Sequence, residues 1–426
     1  MNRIMPFMRL GLIAVCATLA CPFVLADDEC PQEATCENDR YSADVRIRYA
    51  NINDNINDDA NALTARLLMT LRTPQMGNFR AVFAAEHVND FGIDTYNDGG
   101  TNGQTQYATE VDPSGTELEE AFVEYRGDST LIRYGRQYIN HGALPQRFLG
   151  TVAWRQNNQS YDALTVDATI AEKFRLETAL VEKVYRVLGR DHPSRSAREW
   201  DIDGLAIRGT WDPDNFGTIT GYLYNLDFVE NIFLSSRTIG LALDSPCFED
   251  AAKFGWKGSC KVEFASQSSL HDAFDYDRLF YIHSSIGVDF SNFREDNTTG
   301  SVTLNATLLE GDGRYSFKTP LATLHGYAGA ADKFLVNTPP DGLRNIEIRI
   351  KERILGWDFT LGLHRFDTNF SNLPSYGNEI DVAATRSFGK YKWILKFANY
   401  QANEEWQPTP FGVDATKFWA TVQFSL

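Results

Sequence analysis

The stretch FWATVQFSL (418–426) carries the decision about fold. Phe418, Ala420, Val422, Phe424 and Leu426 fall on one side of an extended chain, and Trp419, Thr421, Gln423 and Ser425 on the other. A period of two is the mark of a β-strand, because successive side chains point to opposite faces. Whether the apolar side rests against a protein core or against lipid separates a secreted β-sandwich from a membrane barrel.

The same alternation recurs along the chain. Val45, Ile47 and Tyr49 oppose Arg46 and Arg48; Leu63, Ala65, Leu67, Met69 and Leu71 oppose Thr64, Arg66, Thr70 and Arg72. Phe79, Ala81, Phe83 and Ala85 oppose Arg80 and Glu86, and Phe174, Leu176 and Leu180 oppose Arg175 and Glu177. Ile346, Ile348 and Ile350 face away from Glu347, Arg349 and Lys351, and LGWDFTLGL (355–363) puts Leu355, Trp357, Phe359, Leu361 and Leu363 on one face. About 18 such segments occur, each near the length that crosses a bilayer as a tilted strand.

The connections choose between sandwich and barrel. RTPQMGN (72–78), GDS (127–129), IA (170–171), DPDNF (212–216) and GK (389–390) are short and rich in turn residues. Between them lie long polar stretches at 90–116, 138–159, 184–201, 310–342 and 403–414. Short turns on one side and long loops on the other are the layout of an outer-membrane barrel, and a sandwich has no reason for that asymmetry. The expected fold is all-β: a transmembrane up-and-down antiparallel β-barrel with short periplasmic turns and long extracellular loops. After residue 26 no apolar run approaches the length of a membrane helix, which suits a barrel because each strand needs only one apolar face. The terminal strand must pair with the first, since an open edge cannot survive in hydrocarbon. Its apolar alternation also resembles an outer-membrane assembly signal, so barrel-assembly machinery is an expected partner.

Residues 1–26 read as a secretory signal peptide, with Arg3 and Arg9 before the apolar LGLIAVCATLACPFVLA (10–26). TLAC before Cys21 resembles a lipoprotein site, but Thr18 and Leu19 fit it poorly. Residues 27–40 are then a short periplasmic extension and 41–426 the barrel of a Gram-negative outer membrane. Export leaves Cys30, Cys36, Cys247 and Cys260, which point to disulfides. The local pairs Cys30–Cys36 and Cys247–Cys260 close the shortest loops, although three connectivities remain open. Zinc would want closer Cys or His spacing, and no metal or cofactor is expected.

Removing Arg3 and Arg9 from the 40 basic residues leaves 38 against 57 acidic ones, a net charge of −19. That balance argues against nucleic acid as a partner. Acidic runs such as NINDNINDDAN (51–61) read as solvated loop, with divalent-cation binding as the alternative.

Four stretches resemble the alginate-export family of outer-membrane barrels. They are GRQYINHGALPQRFLGTVAWRQNNQSYDAL (135–164), DANALTARLLMTLRTP (59–74), TNGQTQYATEVDPSGTELEEAFVEY (101–125) and TPLATLHGYAGAADKF (319–334). The resemblance runs from about Tyr41 to Leu426 and implies a monomeric, porin-like barrel of 18 strands. For the family's best-known member it implies passage of an acidic polysaccharide through an arginine-lined pore. Leu426 departs from the terminal Phe usual in such barrels.

With lipid on the apolar face, the opposite face lines a lumen. The first three strands contribute Arg46, Arg48, Arg66, Arg72 and Arg80 against one acid, Glu86, and later strands add Arg133, Arg175, Arg208 and Arg349. Strand four contributes Glu120 and Glu124, and strand sixteen Glu379 and Asp381. Fixed rings of charge set ion preference, and guanidinium suits carboxylates and sugar hydroxyls. The expected function is passive, weakly selective passage of hydrophilic solutes, anionic or sugar-like. A diffusion porin without anion preference, and a structural barrel whose charges simply pair, are the alternatives. Arg147 and Arg155 lie between strands, where the 138–159 loop either folds inward as a constriction or stays on the surface. The 310–342 loop is a lid or merely long.

Enzyme chemistry finds little support. His87, His141, His192, His271, His283, His325 and His364 form no HExxH pair, and no GxSxG is present. HSS (283–285) permits a lipid-facing serine–histidine site without pointing to one.

Overall fold

The computed structural model describes residues 40–426 apart from 144–145, 214–215, 249–255, 272–275, 277, 291–299 and 336–337. The signal peptide, Cys30 and Cys36 lie outside the described residues. Eighteen long strands close one antiparallel ring, each paired with its neighbours in sequence. They are β1 Tyr41–Asn53, β2 Ala60–Arg72, β3 Phe79–Asn89, β4 Gly115–Arg126, β5 Thr130–Gln137 and β6 Ser160–Ala171. Then come β7 Phe174–Tyr185, β8 Glu199–Trp211, β9 Thr218–Phe228, β10 Ser236–Cys247, β11 Lys257–Ser269 and β12 Leu279–Asp289. The last are β13 Gly300–Leu309, β14 Leu343–Ile354, β15 Trp357–Asp367, β16 Gly377–Phe388, β17 Tyr391–Ala402 and β18 Ala415–Ser425. A two-residue strand, Asp94–Thr95, hangs on the edge of β2.

Closure falls to the stretch that opened the reading. β18 pairs with β1 from Asp44↔Ser425 to Asn53↔Thr416, and the Leu426 amide donates to the Ala43 carbonyl at 2.9 Å. Every ladder is thereby satisfied, as a hydrocarbon surrounding demands. Phe418 is exposed on the outside while Lys417, Trp419 and Thr421 are buried inside. Likewise Leu67, Met69, Leu71, Phe83, Ile346 and Ile348 are exposed, and Arg46, Arg66, Glu86 and Glu347 between them are buried. The polar face is the inner one.

Hairpin ends alternate in length as expected, with small shifts. The gaps at 138–159, 310–342 and 403–414 stand as read, while β4 already begins at Gly115, β7 runs to Tyr185 and β8 starts at Glu199. Residues 170–171 belong to β6, and the turn is 172–173. Leu355 is also not a strand residue. It shares a two-residue turn with Gly356, at φ +52° and +76°, and two consecutive positive angles match the twist of a tight hairpin. At the same end Cys247 and Cys260 form the local disulfide.

The interior is not empty. Segment 146–159 and much of 310–335 turn into the barrel, joined by a parallel bridge between Leu149 and Leu321. Gly150 N donates to Leu321 O at 3.0 Å and Thr323 N to Gln146 O at 2.8 Å. Leu149, Phe317 and Leu321 are fully buried there.

Candidate pore constriction

Arg155 is the point at which three loops meet. Its Nη1 donates to Glu110 Oε1 in the 90–114 loop at 3.2 Å, and its Nη2 to Asp332 Oδ2 in the 310–342 loop at 2.7 Å. Both carboxylates are buried. Burial raises the cost of the charge on Asp332, yet His325, Arg155 and Lys417 together hold its carboxyl well below the ordinary range. The preceding residue, Trp154, stacks on His325 at 4.4 Å, with Arg48 and Lys396 over its ring at 4.3 and 4.5 Å. Trp419 meets the same ring edge-on at 5.4 Å. Val152, two residues earlier, has φ +54°, a costly angle for a β-branched residue, at the inward bend of the loop. Of the two dispositions open for 138–159, the inward one is observed.

The arginines of the first strands hold these loops. Arg46 Nη1 donates to the carbonyls of Ala153 and Arg155 at 2.9 and 3.0 Å. Arg48 reaches Asp112 Oδ2 at 3.0 Å and the Trp154 carbonyl at 2.6 Å. Asp112 in turn accepts from the Gln156 amide at 2.8 Å. Arg66 pairs with Asp44 at 2.6 Å and lies 3.8 Å from Glu86. Arg72 donates to Ser42 Oγ at 3.2 Å. Glu124 serves Arg80 at 2.6 Å, Arg133 at 3.3 Å and Arg126 at 3.6 Å. Further round, Arg175 pairs with Asp167 and Glu177, Arg208 with Glu177, and Arg349 with Glu347. The picture of five arginines facing the single acid Glu86 therefore needs correction. Asp44, Asp112, Glu110 and Glu124 neutralise that arc, and two of them arrive on the loop that follows β3.

Three further acids are placed by backbone contacts. Glu120 Oε1 accepts from the Tyr138 amide at 3.4 Å. Glu379 Oε1 and Asp381 Oδ2 accept from the amides of Ala331 and Ala330 at 2.7 and 3.0 Å, pinning the 310–342 loop to β16. Gly329 allows that approach: it has φ +82°, and a Cβ there would lie 2.4 Å from Glu379 Oε2.

Arg147 is different. Its side chain is buried, yet Nε and Nη1 make no hydrogen bond. Its guanidinium lies over Tyr327 at 3.7 Å and 5.3 Å from the ring centre of Tyr281. Next to it Phe148 wedges between Tyr222 and Tyr224, at 4.8 and 5.1 Å.

Of the histidines, His283 is buried on the inner face beside Thr307 Oγ1 at 2.9 Å, so its ring does not face lipid. Trp154, His325, Asp332 and Lys396 escaped the sequence reading as a group. Three of the four stand in the quoted stretches 135–164 and 319–334, which is the only signal that marked them. Among the described residues no group of three or more His, Cys, Asp or Glu side chains is arranged to hold a metal.

The profile of the alginate export family matches residues 40–277 of the chain. The chain belongs to the alginate export family. With the closed barrel, that makes it an outer-membrane channel protein. No curated protein sequence matches. Among solved structures it is similar to OccK8 (OprE) of Pseudomonas aeruginosa, at a TM-score of 0.67 and 14% identity over 92% of this chain and 98% of that one. OccAB4 of Acinetobacter baumannii superimposes at 0.64 with 13% identity, covering 91% and 97%. OpdK of Pseudomonas aeruginosa, solved with vanillate, gives 0.63 and 11% over 91% and 98%. At such identities the likeness concerns the barrel fold, so the family member's cargo has to be argued from its own residues.

Proposed function

We propose that this barrel passes small hydrophilic solutes passively, with a weak preference for those bearing a carboxylate or several hydroxyls. One observation carries the reading: Arg147, on the inward loop, is a buried guanidinium with two nitrogens that donate to nothing. A charge already paired offers little to a third group, whereas an unpaired one in a low-dielectric site attracts an anion strongly. Tyr281 and Tyr327 flank it and supply flat faces and hydroxyls suited to a small oxygen-rich solute. The occupied interior favours small molecules over a polymer chain in this conformation. A general diffusion pore without anion preference is the second reading, favoured by the pairing of the strand arginines.

Reversal potentials across planar bilayers in a salt gradient separate the two. The native channel is expected to prefer anions, and Arg147→Gln to lose most of that preference while still conducting. A cation preference, or selectivity untouched by the substitution, would sink the proposal.

A further inference from the structure

His325 hangs from the inward part of the 310–342 loop and makes close contact with Asp332, Lys396 and Trp154. Its Nδ1 lies 2.7 Å from Asp332 Oδ1 on its own loop, and its Nε2 lies 2.6 Å from Lys396 Nζ on β17. Its ring stacks on Trp154 of the 138–159 loop. With Asp332 ionised and Lys396 an ammonium, one tautomer satisfies both contacts. A carboxylate accepts, so Nδ1 carries the proton; an ammonium donates, so Nε2 must be the bare nitrogen.

From this arrangement we infer that the Asp332–His325–Lys396 chain is an acid-released latch, which holds the inward loops across the lumen while His325 is neutral and frees them when it is protonated. A proton on Nε2 removes the acceptor for Lys396 and sets two cations 2.6 Å apart in a buried place. The other cations packed around the site do not relieve it. Arg155 and Lys417 lie against Asp332 at 2.7 and 3.8 Å, Arg48 lies over the Trp154 ring at 4.3 Å, and all three are positive. Asp332 already serves Arg155, Lys417 and His325 Nδ1. Glu379 and Asp381 on β16 bind the amides of residues 331 and 330, and their charge also acts on Lys396, which leaves the imidazole as the group that must give way. Nor is the stack on Trp154 neutral ground, because that ring already carries Arg48 and Lys396.

The direction with pH follows. Burial first, then Lys396 and Arg155, against the pull of Asp332, bring the His325 imidazole from 6.5 down to about 4. A released loop would return it to its ordinary value. The latched state therefore binds fewer protons, is fully favoured above about pH 6.5, and loses ground as pH falls. The expected loss is about tenfold in the latched-to-released ratio per pH unit until His325 titrates in place. Among the described contacts the latch also joins both inward loops at one ring, so its release acts on the constriction as a whole. The inference goes beyond solute preference and needs only that the barrel conducts.

Single-channel recording of the full-length protein in bilayers, from pH 7.5 to 4, tests it. The native channel is expected to close less often, or to reach a larger open level, as pH falls below about 6.5. His325→Gln, which keeps a donor and an acceptor but cannot gain the proton, should lose this response. Lys396→Met should blunt the response, because a protonated His325 then meets no ammonium and the latched state no longer disfavours the proton so strongly. A native channel indifferent to pH overturns the latch. So does an acid response that survives His325→Gln, which would assign it to another buried acid. If His325→Gln is open at every pH, Lys396→Met decides, and an acid response as large as the native one rejects the proposal.

Discussion

Two arcs of the inner wall use their charges differently. Along β1 to β5, Arg46, Arg48, Arg66, Arg80 and Arg133 are engaged by carboxylates or by loop carbonyls. Along β11 to β14, the loop-borne Arg147 rests between tyrosine rings, with Nε and Nη1 unbonded. The first arc is structural: it fastens loops inside the barrel. On the second, Lys261 and Arg349 are paired with Glu263 and Glu347, and Arg147 alone keeps two unbonded nitrogens. Counting arginines on strands cannot separate the arcs, because the difference lies in where the acids come from.

The comparison breaks most visibly at Arg155. Removing it by Arg155→Ala leaves Glu110 and Asp332 buried without their shared partner. Stripping one member from a buried pair costs about 3–5 kcal/mol. Arg48 at 3.9 Å from Glu110 and Lys417 at 3.8 Å from Asp332 bring this toward the lower end. The barrel ladder should survive while the inward loops come loose, giving a larger and noisier conductance and new protease cuts within 138–159 or 310–342. Native conductance with native protease resistance would mean that the first arc does not hold the loops.

A smaller change should turn one arc into the other. Glu124→Gln leaves Arg80 and Arg133 facing an amide in place of a carboxylate. Losing charge-assisted bonds of this kind costs about 1.5–3 kcal/mol, less where the partner is partly exposed, as Arg133 is. The barrel should still assemble, and its reversal potential should move toward stronger anion preference. If removing the Glu124 charge leaves selectivity unchanged, pairing is not what silences the first arc, and the contrast with Arg147 loses its meaning.

The strands were legible because period two is a local property. Ile47 outside and Arg48 inside can be read from neighbouring letters, and so can hairpin parity from the lengths of the gaps. Pairing was illegible for the opposite reason. Arg155 and Asp332 are 177 residues apart, and only the inward turn of two loops brings them together. The same holds for Lys396 and His325, 71 residues apart. Strand periodicity says nothing about a loop's path, so both dispositions of 138–159 stayed open, and nothing set Asp112 apart. Leu355 misled in a simpler way. Its side chain continues the alternation of β15, but the Leu355–Gly356 pair has to turn the chain, and the turn takes precedence.

The least effect is expected where the contacts look strongest on distance alone. Arg195, in the external stretch between β7 and β8, lies 2.6 Å from Asp201, 2.7 Å from Glu230 and 3.1 Å from Glu199. Its side chain is 48% exposed, whereas Arg155, with comparable distances, is 6% exposed. Water and salt screen the first set, and ordering a long side chain offsets what attraction is left. Arg195→Ala should therefore leave the heat-denaturation midpoint, conductance and selectivity where they were. A marked drop in any of them would show that exposure does not discount these pairs. The reasoning that assigns Arg155 to holding loops and Arg147 to meeting solute would then need a different basis than burial.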